Sequence, residues 1–237
     1  NPGESEDAGP LIERGDHVIT PWECDLSSQT SASQAGLLLG SNEDIPAFRW
    51  YDRELGRPMV SSSGADTAII EERASDGDGL LVHGGASRGN LLSGDAPRAS
   101  VTLSVMRDTD RSQRSEAVRS YLSNPYNLPH TILVFIGDVA SEIWAARRQR
   151  RRDVRPRIDR GGIYPFLRAG MTGFIPEMLI HMVIGDVLRG VPSVYATFVS
   201  YDEIAHHSGV LEPDALGILR RLDAQFDRVA RATLELG

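Results

Sequence analysis

Asp202 and His206 stand four residues apart in the stretch Tyr201-Asp202-Glu203-Ile204-Ala205-His206-His207-Ser208-Gly209. One helical turn or a tight loop at that spacing aims a carboxylate and an imidazole at a common point. An oxygen–nitrogen pair of this kind suits zinc or a similar divalent cation. The same residues also make an ordinary solvated turn with a pH-sensitive histidine pair. Near the other end, Ser27, Ser28, Thr30, Ser31 and Ser33 put five hydroxyls into seven residues, followed at once by Ala35, Gly36 and three leucines. That pattern is a polar turn feeding a helix N-terminus, with the cap drawn from the Ser and Thr residues. Free N–H groups and the positive dipole end suit a phosphate there, and a hydroxyl becomes a nucleophile if a base or a metal lowers its pKa. Plain capping of a Ser-rich loop accounts for the same residues.

Two weaker signals accompany these. Gly84-Gly85-Ala86-Ser87-Arg88-Gly89-Asn90 reads as a Gly-rich turn after an apolar run and before a helix. Its backbone can cradle a phosphate, with Arg88 or Asn90 as side-chain donors, or it is a tight strand-to-helix turn. It lacks the P-loop lysine and fits no dinucleotide fingerprint. The run Arg147-Arg148-Gln149-Arg150-Arg151-Arg152 ends a helical pattern, where cations complement the macrodipole. It reads as a solvated basic end, or as a contact for an anionic membrane surface or a polyanionic substrate.

The stretch Thr30-Ser31-Ala32-Ser33-Gln34-Ala35-Gly36-Leu37-Leu38-Leu39-Gly40 resembles the nucleophile helix of the alkaline phosphatase superfamily, with Ser33 and Gly40 on the expected positions after Thr30. Asp202 and His206 resemble the Asp-x-x-x-His metal motif that ends a strand in the same superfamily. The Thr nucleophile and the segment from Asn42 to Tyr51-Asp52 look closest to the type I phosphodiesterase and nucleotide pyrophosphatase branch. The resemblance implies a metal-dependent hydrolase of phosphate esters that passes through a covalent phospho-threonine on Thr30. It implies zinc at two sites in the complete domain, with Thr30, Asp202 and His206 among the ligands, and a phosphate-ester or nucleotide-like substrate. A Thr at the nucleophile position disfavours a sulfatase. Arg49 stands roughly where the branch places a substrate-contacting Asn, and reads as a phosphoryl contact or as an exposed structural arginine. The resemblance also requires an Asp before the nucleophile and an Asp–His pair with a further His downstream, for which this stretch has no counterpart. The chain is therefore expected to be an internal fragment, inactive by itself. The alternative from another class is a non-catalytic membrane-surface or protein-interaction module.

The elements that must position these residues follow from pattern. Val194 to Tyr201 is β-branched and aromatic, bounded by Gly190 and Pro192, and reads as a strand, as does Leu80 to His83. Both are expected as central strands of one mostly parallel sheet, with Ser100 to Met106 and His17 to Thr20 as further strands. Helical patterns fall at 65–74, 107–119, 131–152 and 213–236, the last with Leu216, Leu219, Leu222, Phe226 and Val229 on one face. The stretch 164–188 gives one or two helices broken near Gly173 and Pro176, and its charged residues interrupt the apolar run too often for a membrane span. The expected architecture is α/β, a mostly parallel sheet flanked by helices with a helical inserted lobe. Its parts are 1–106 and 186–237 for the core and 107–185 for the insertion.

Composition bounds the rest. The 237 residues are 41% hydrophobic and 24% charged, ordinary values for a globular fold. The formal charge of -8 argues against nucleic-acid readout. Cys24 is the one cysteine, so no internal disulfide forms. Every basic residue is arginine, which excludes a lysine nucleophile or Schiff base.

Overall fold

The computed structural model describes residues 18, 20–21, 29–106, 119–153 and 162–234, which fall into two compact units. One is built on residues 20–118 and 182–197, the other on 119–181 and 198–237 together with the N-terminal stretch. The stretch at 107–118, expected to be helical, and most of His17 to Thr20 lie outside the described residues.

The first unit is mixed α/β. Helix α1 (Thr30–Leu39) is followed by a hairpin of β1 (Arg49–Asp52) and β2 (Arg57–Val60), helix α2 (Gly64–Ala74), and the strands β3 (Ala86–Arg88) and β4 (Arg98–Ser100). The hairpin is antiparallel with Trp50 opposite Met59. A later strand, β5 (Val194–Ala196), joins β3 and β4 in a parallel sheet of order β4-β3-β5. Ala86 pairs with Arg98 on one side and Val194 on the other. Ala32, Ala35 and Leu38 form the buried stripe of α1 and meet Ile45, Met59, Ile70, Leu81 and Leu92 in one core. The i, i+3, i+6 spacing of the α1 residues sets that stripe. The helix stops at Gly40, whose φ of 82° a side chain resists.

The expected strands shift in position. Leu80 to His83 is a turn, with Leu80 exposed and Leu81 buried, and β3 lies just beyond it. The glycines before β3 allow close packing: a Cβ on Gly85 would lie 2.7 Å from Ser193 Oγ and 2.9 Å from the Leu81 carbonyl. No helix opens between Asn90 and Met106, so the Gly-rich segment does not run straight into a helix. The strand expected from Ser100 to Met106 is instead Arg98–Ser100, and β5 covers three residues at the sheet edge, not a central strand to Tyr201. Polar strands hide from an apolar-run rule. Ser87 and Arg88 of β3 are buried, and side-chain partners offset the cost of their desolvation.

The second unit is helical. It contains α3 (Asn127–Arg151), α4 (Tyr164–Ala169), a π-helical turn (Gly170–Phe174), the start of α5 (Ile175–Leu188), α6 (Ser200–Ser208) and α7 (Pro213–Leu234). The break expected near Gly173 and Pro176 is this π-turn, which leaves the helical run unbroken. The run Tyr164–Leu188 is long and apolar enough to cross a membrane by length and composition, and half of its most apolar window is buried in the fold. Each charge that it carries inward has a partner. Arg168 pairs with Glu142, and Glu177 accepts from Gln225 and Arg228 at 2.8 Å each. Asp186, on the part of α5 that belongs to the first unit, pairs with Arg88.

Candidate functional site

Thr30 is the first residue of α1 and is exposed. The cap position is Gln29, not a Ser or Thr, and its side chain makes no cap hydrogen bond. The amides of the first turn have no intrahelical acceptor by geometry, so their partners are a capping side chain, a solvent molecule or an anion. Ser31, next in the chain, is buried, and its Oγ has no hydrogen-bond partner.

One turn further on, Gln34 fixes this helix end to the sheet. Its Oε1 accepts from the Leu91 amide at 2.8 Å and from the Leu92 amide at 3.3 Å. Its Nε2 donates to Thr197 Oγ1 at 2.9 Å, and Thr197 donates in turn to Asn90 Oδ1 at 2.6 Å. Asn90 Nδ2 donates to the Tyr195 carbonyl at 2.9 Å and to Ser87 Oγ at 2.7 Å, and that hydroxyl shares a bond with Thr102. Asn90 follows β3 and Thr197 follows β5, so the N-terminal half of α1 is held at the carboxyl ends of two parallel strands. Open α/β folds keep their ligand sites at that edge. Glu71 of α2 steadies the same loop, since its Oε1 accepts from the Ser93 amide, the Ser93 hydroxyl and the Gly94 amide.

Arg88 is nine-tenths or more buried, and its guanidinium faces Asp186, with Nε to Oδ2 at 2.7 Å and Nη2 to Oδ1 at 2.9 Å. Burial raises the Asp186 pKa, but the bonds from Arg88 and Arg189 together outweigh it, and the carboxyl sits below its ordinary range. Arg49 opens β1, is exposed, and lies 5.7 Å from the Phe48 ring centroid. His83 is exposed in its turn, 3.9 Å from Asp78.

Asp202 and His206 belong to the helical unit, on α6 and not at a strand end. Helical spacing does place them together: His206 Nε2 lies 3.3 Å from Asp202 Oδ1, and both side chains are more than two-thirds exposed. The pair is an exposed carboxylate–imidazole contact on one helix face. Among the described residues, no cluster of three or more His, Cys, Asp or Glu side chains is placed to hold a metal.

Within the first unit the structure thus joins the Thr30 helix and Asn90 through Gln34, while Arg88 is directed to Asp186 and Arg49 lies in the hairpin. Sequence reasoning did not find Gln34, Thr197, Ser87 or Thr102. Asp186 did carry a signal, because a carboxylate inside an apolar helix must have a buried partner. Comparison with family models, curated proteins and solved structures finds no match for this chain.

Proposed function

We propose that the chain is part of a metal-dependent enzyme of phosphoryl transfer that hydrolyses phosphate esters, with Thr30 as the nucleophile. One observation carries the reading: an exposed threonine opens a helix whose next turn is locked by Gln34 to the carboxyl ends of β3 and β5. A phosphoryl group seated there meets the Thr30 hydroxyl and the unpaired amides of the first turn together. Thr30 Oγ bonds to phosphorus as the bond to the ester's leaving oxygen breaks in line, and the Thr30 proton ends on the departing alcohol. Water then takes the phosphoryl group, and Oγ regains a proton. The first-turn amides stabilise the phosphoryl oxygens as charge builds on them. On the helical unit, Asp202 and His206 would supply two ligands to a divalent cation, zinc by ligand type, and such an ion when bound would contribute Lewis acidity. A mostly parallel sheet, of which β4-β3-β5 is a three-stranded portion, belongs to the same proposal.

Hydrolysis of a chromogenic phosphodiester with zinc or manganese, by a longer form that contains this chain, tests the reading. Metal-dependent turnover that disappears in Thr30→Ala, with a phosphothreonine at position 30 trapped by acid quench and mass spectrometry, is the expected result. Turnover that survives Thr30→Ala, or zinc affinity unchanged in Asp202→Ala/His206→Ala, removes it.

A further inference from the structure

Helix α3 is inside out. Thr131, Asp138 and Glu142 point inward and are buried, while Ile132, Leu133, Ile136, Ile143 and Trp144 are exposed, Leu133 at 69% and Trp144 at 63%. A surface helix normally shows the reverse. The register is fixed by the polar side. Asp138 receives Arg221 at 2.7 Å and Thr172 Oγ1 at 3.1 Å, Glu142 pairs with Arg168, and Thr131 shares a bond with the Tyr121 hydroxyl. Rolling the helix over would bury the aliphatic stripe and strip two carboxylates of their arginines, a much larger cost.

The stripe has a direction. It runs about 25 Å along the helix from Leu128 to Trp144, at 1.5 Å per residue. On the same face it then becomes Arg147, Arg150 and Arg151, all exposed. At the junction, Trp144 lies under the Arg148 guanidinium, 5.4 Å from ring centroid to Cζ. None of Arg147, Arg150 and Arg151 is in an ion pair among the described residues. This cluster stands out from a chain whose formal charge is -8.

We propose that this face of α3 docks onto an anionic phospholipid surface. Aliphatic side chains and an indole on the face, with guanidinium groups at its end, offer apolar contact to the acyl boundary and cations to the phosphates of an interfacial helix site. Charge complementarity favours the lipid, whose phosphates meet the arginine cluster, whereas parallel pairing with a second copy would set two such clusters side by side. The inference is independent of the phosphoryl-transfer reading and stands or falls separately.

The test is cosedimentation of the 237-residue chain with vesicles of phosphatidylcholine alone, or mixed with phosphatidylglycerol, at low and high salt. Binding is expected to the anionic vesicles only and to weaken with salt. Replacing Arg147, Arg150 and Arg151 together by Gln lowers the partition coefficient roughly a hundredfold at low salt, and Ile136→Asp lowers it at least about tenfold. Brominated lipid quenches indole fluorescence, and Trp144→Phe removes that quenching. These side chains are exposed, so circular dichroism and urea midpoints of the variants match the parent, which separates lost docking from lost folding. Binding indifferent to headgroup charge, or retained in Ile136→Asp, overturns the proposal. So does a dimer in light scattering that Ile136→Asp dissolves while vesicles go unbound, which would assign the face to a second copy.

Discussion

Arg88 and Asp186 meet almost wholly out of water, 98 residues apart in sequence, and their two-point contact ties β3 to the part of α5 packed with it. Breaking a buried pair from one side leaves the other charge desolvated, which costs about 3–5 kcal/mol. Arg88→Met is therefore expected to lower stability by about that amount in urea denaturation, softened by Arg189, which still reaches Asp186 at 2.7 Å. Asp186→Leu should cost as much, since it strands the guanidinium. The double variant Arg88→Met/Asp186→Leu should be milder than the sum of the two, because neither charge is left alone. An additive double variant would mean that the contact is unimportant to the fold. At the same scale, Gln34→Ala leaves the Leu91 amide and the Thr197 hydroxyl without their acceptor and donor. A loss of about 1–3 kcal/mol follows from such orphaned groups, measured by the same denaturation.

At the scale of elements, most helices were legible from sequence and the strands were not, and α6 was missed because Val194 to Tyr201 reads as a strand. Periodicity places α7 at its observed start, Pro213, and α2 and α3 within a few residues of their observed ends. The strands escape because β3 is Ala-Ser-Arg, a buried polar segment whose partners lie far along the chain, while the apolar run Leu80 to His83 belongs to a turn. The inward face of α3 is hidden from the sequence for a related reason. An apolar stripe predicts the inward face only when the opposite face has no better partner, and Asp138 and Glu142 have arginines. Of the candidate site, the Thr30 helix and the Asp202–His206 spacing were readable, since both are local. The Gln34–Thr197–Asn90 chain was not, because its members are up to 163 residues apart. The end of α1 gives an element-scale prediction. Nothing lies within 4 Å of a Cβ built on Gly40, so Gly40→Ala meets no clash and costs only the strain of its positive φ. That strain is about 1–2 kcal/mol, checked by thermal or chemical denaturation. Asn at this position should recover part of it.

At the scale of the whole molecule, both units rest on buried carboxylates held ionised by arginine, and this sets the response to acid. In the helical unit, burial raises the Glu177 pKa, but hydrogen bonds from Arg228 and Gln225 and the nearby charges outweigh it, so the group titrates below its ordinary range. Asp186 is depressed in the same sense in the other unit. A carboxyl whose folded pKa lies below its unfolded value binds its proton more readily in the unfolded chain. Its stabilising contribution is fully present above the unfolded values of about 4 and is lost as pH falls through the folded pKa. Stability in urea is thus expected to be flat with respect to these two groups from about pH 7 to 5 and to fall below about pH 4. Replacing Glu177 by Gln removes one ionisable group. The variant should be weaker than the parent near neutrality, with a shallower decline in acid, and the two curves should converge at the lowest pH. Asp186→Asn should behave alike, and the two effects should add, because the groups belong to different units and share no partner. A variant that keeps the parent's full acid slope would show that its carboxylate does not carry the linkage.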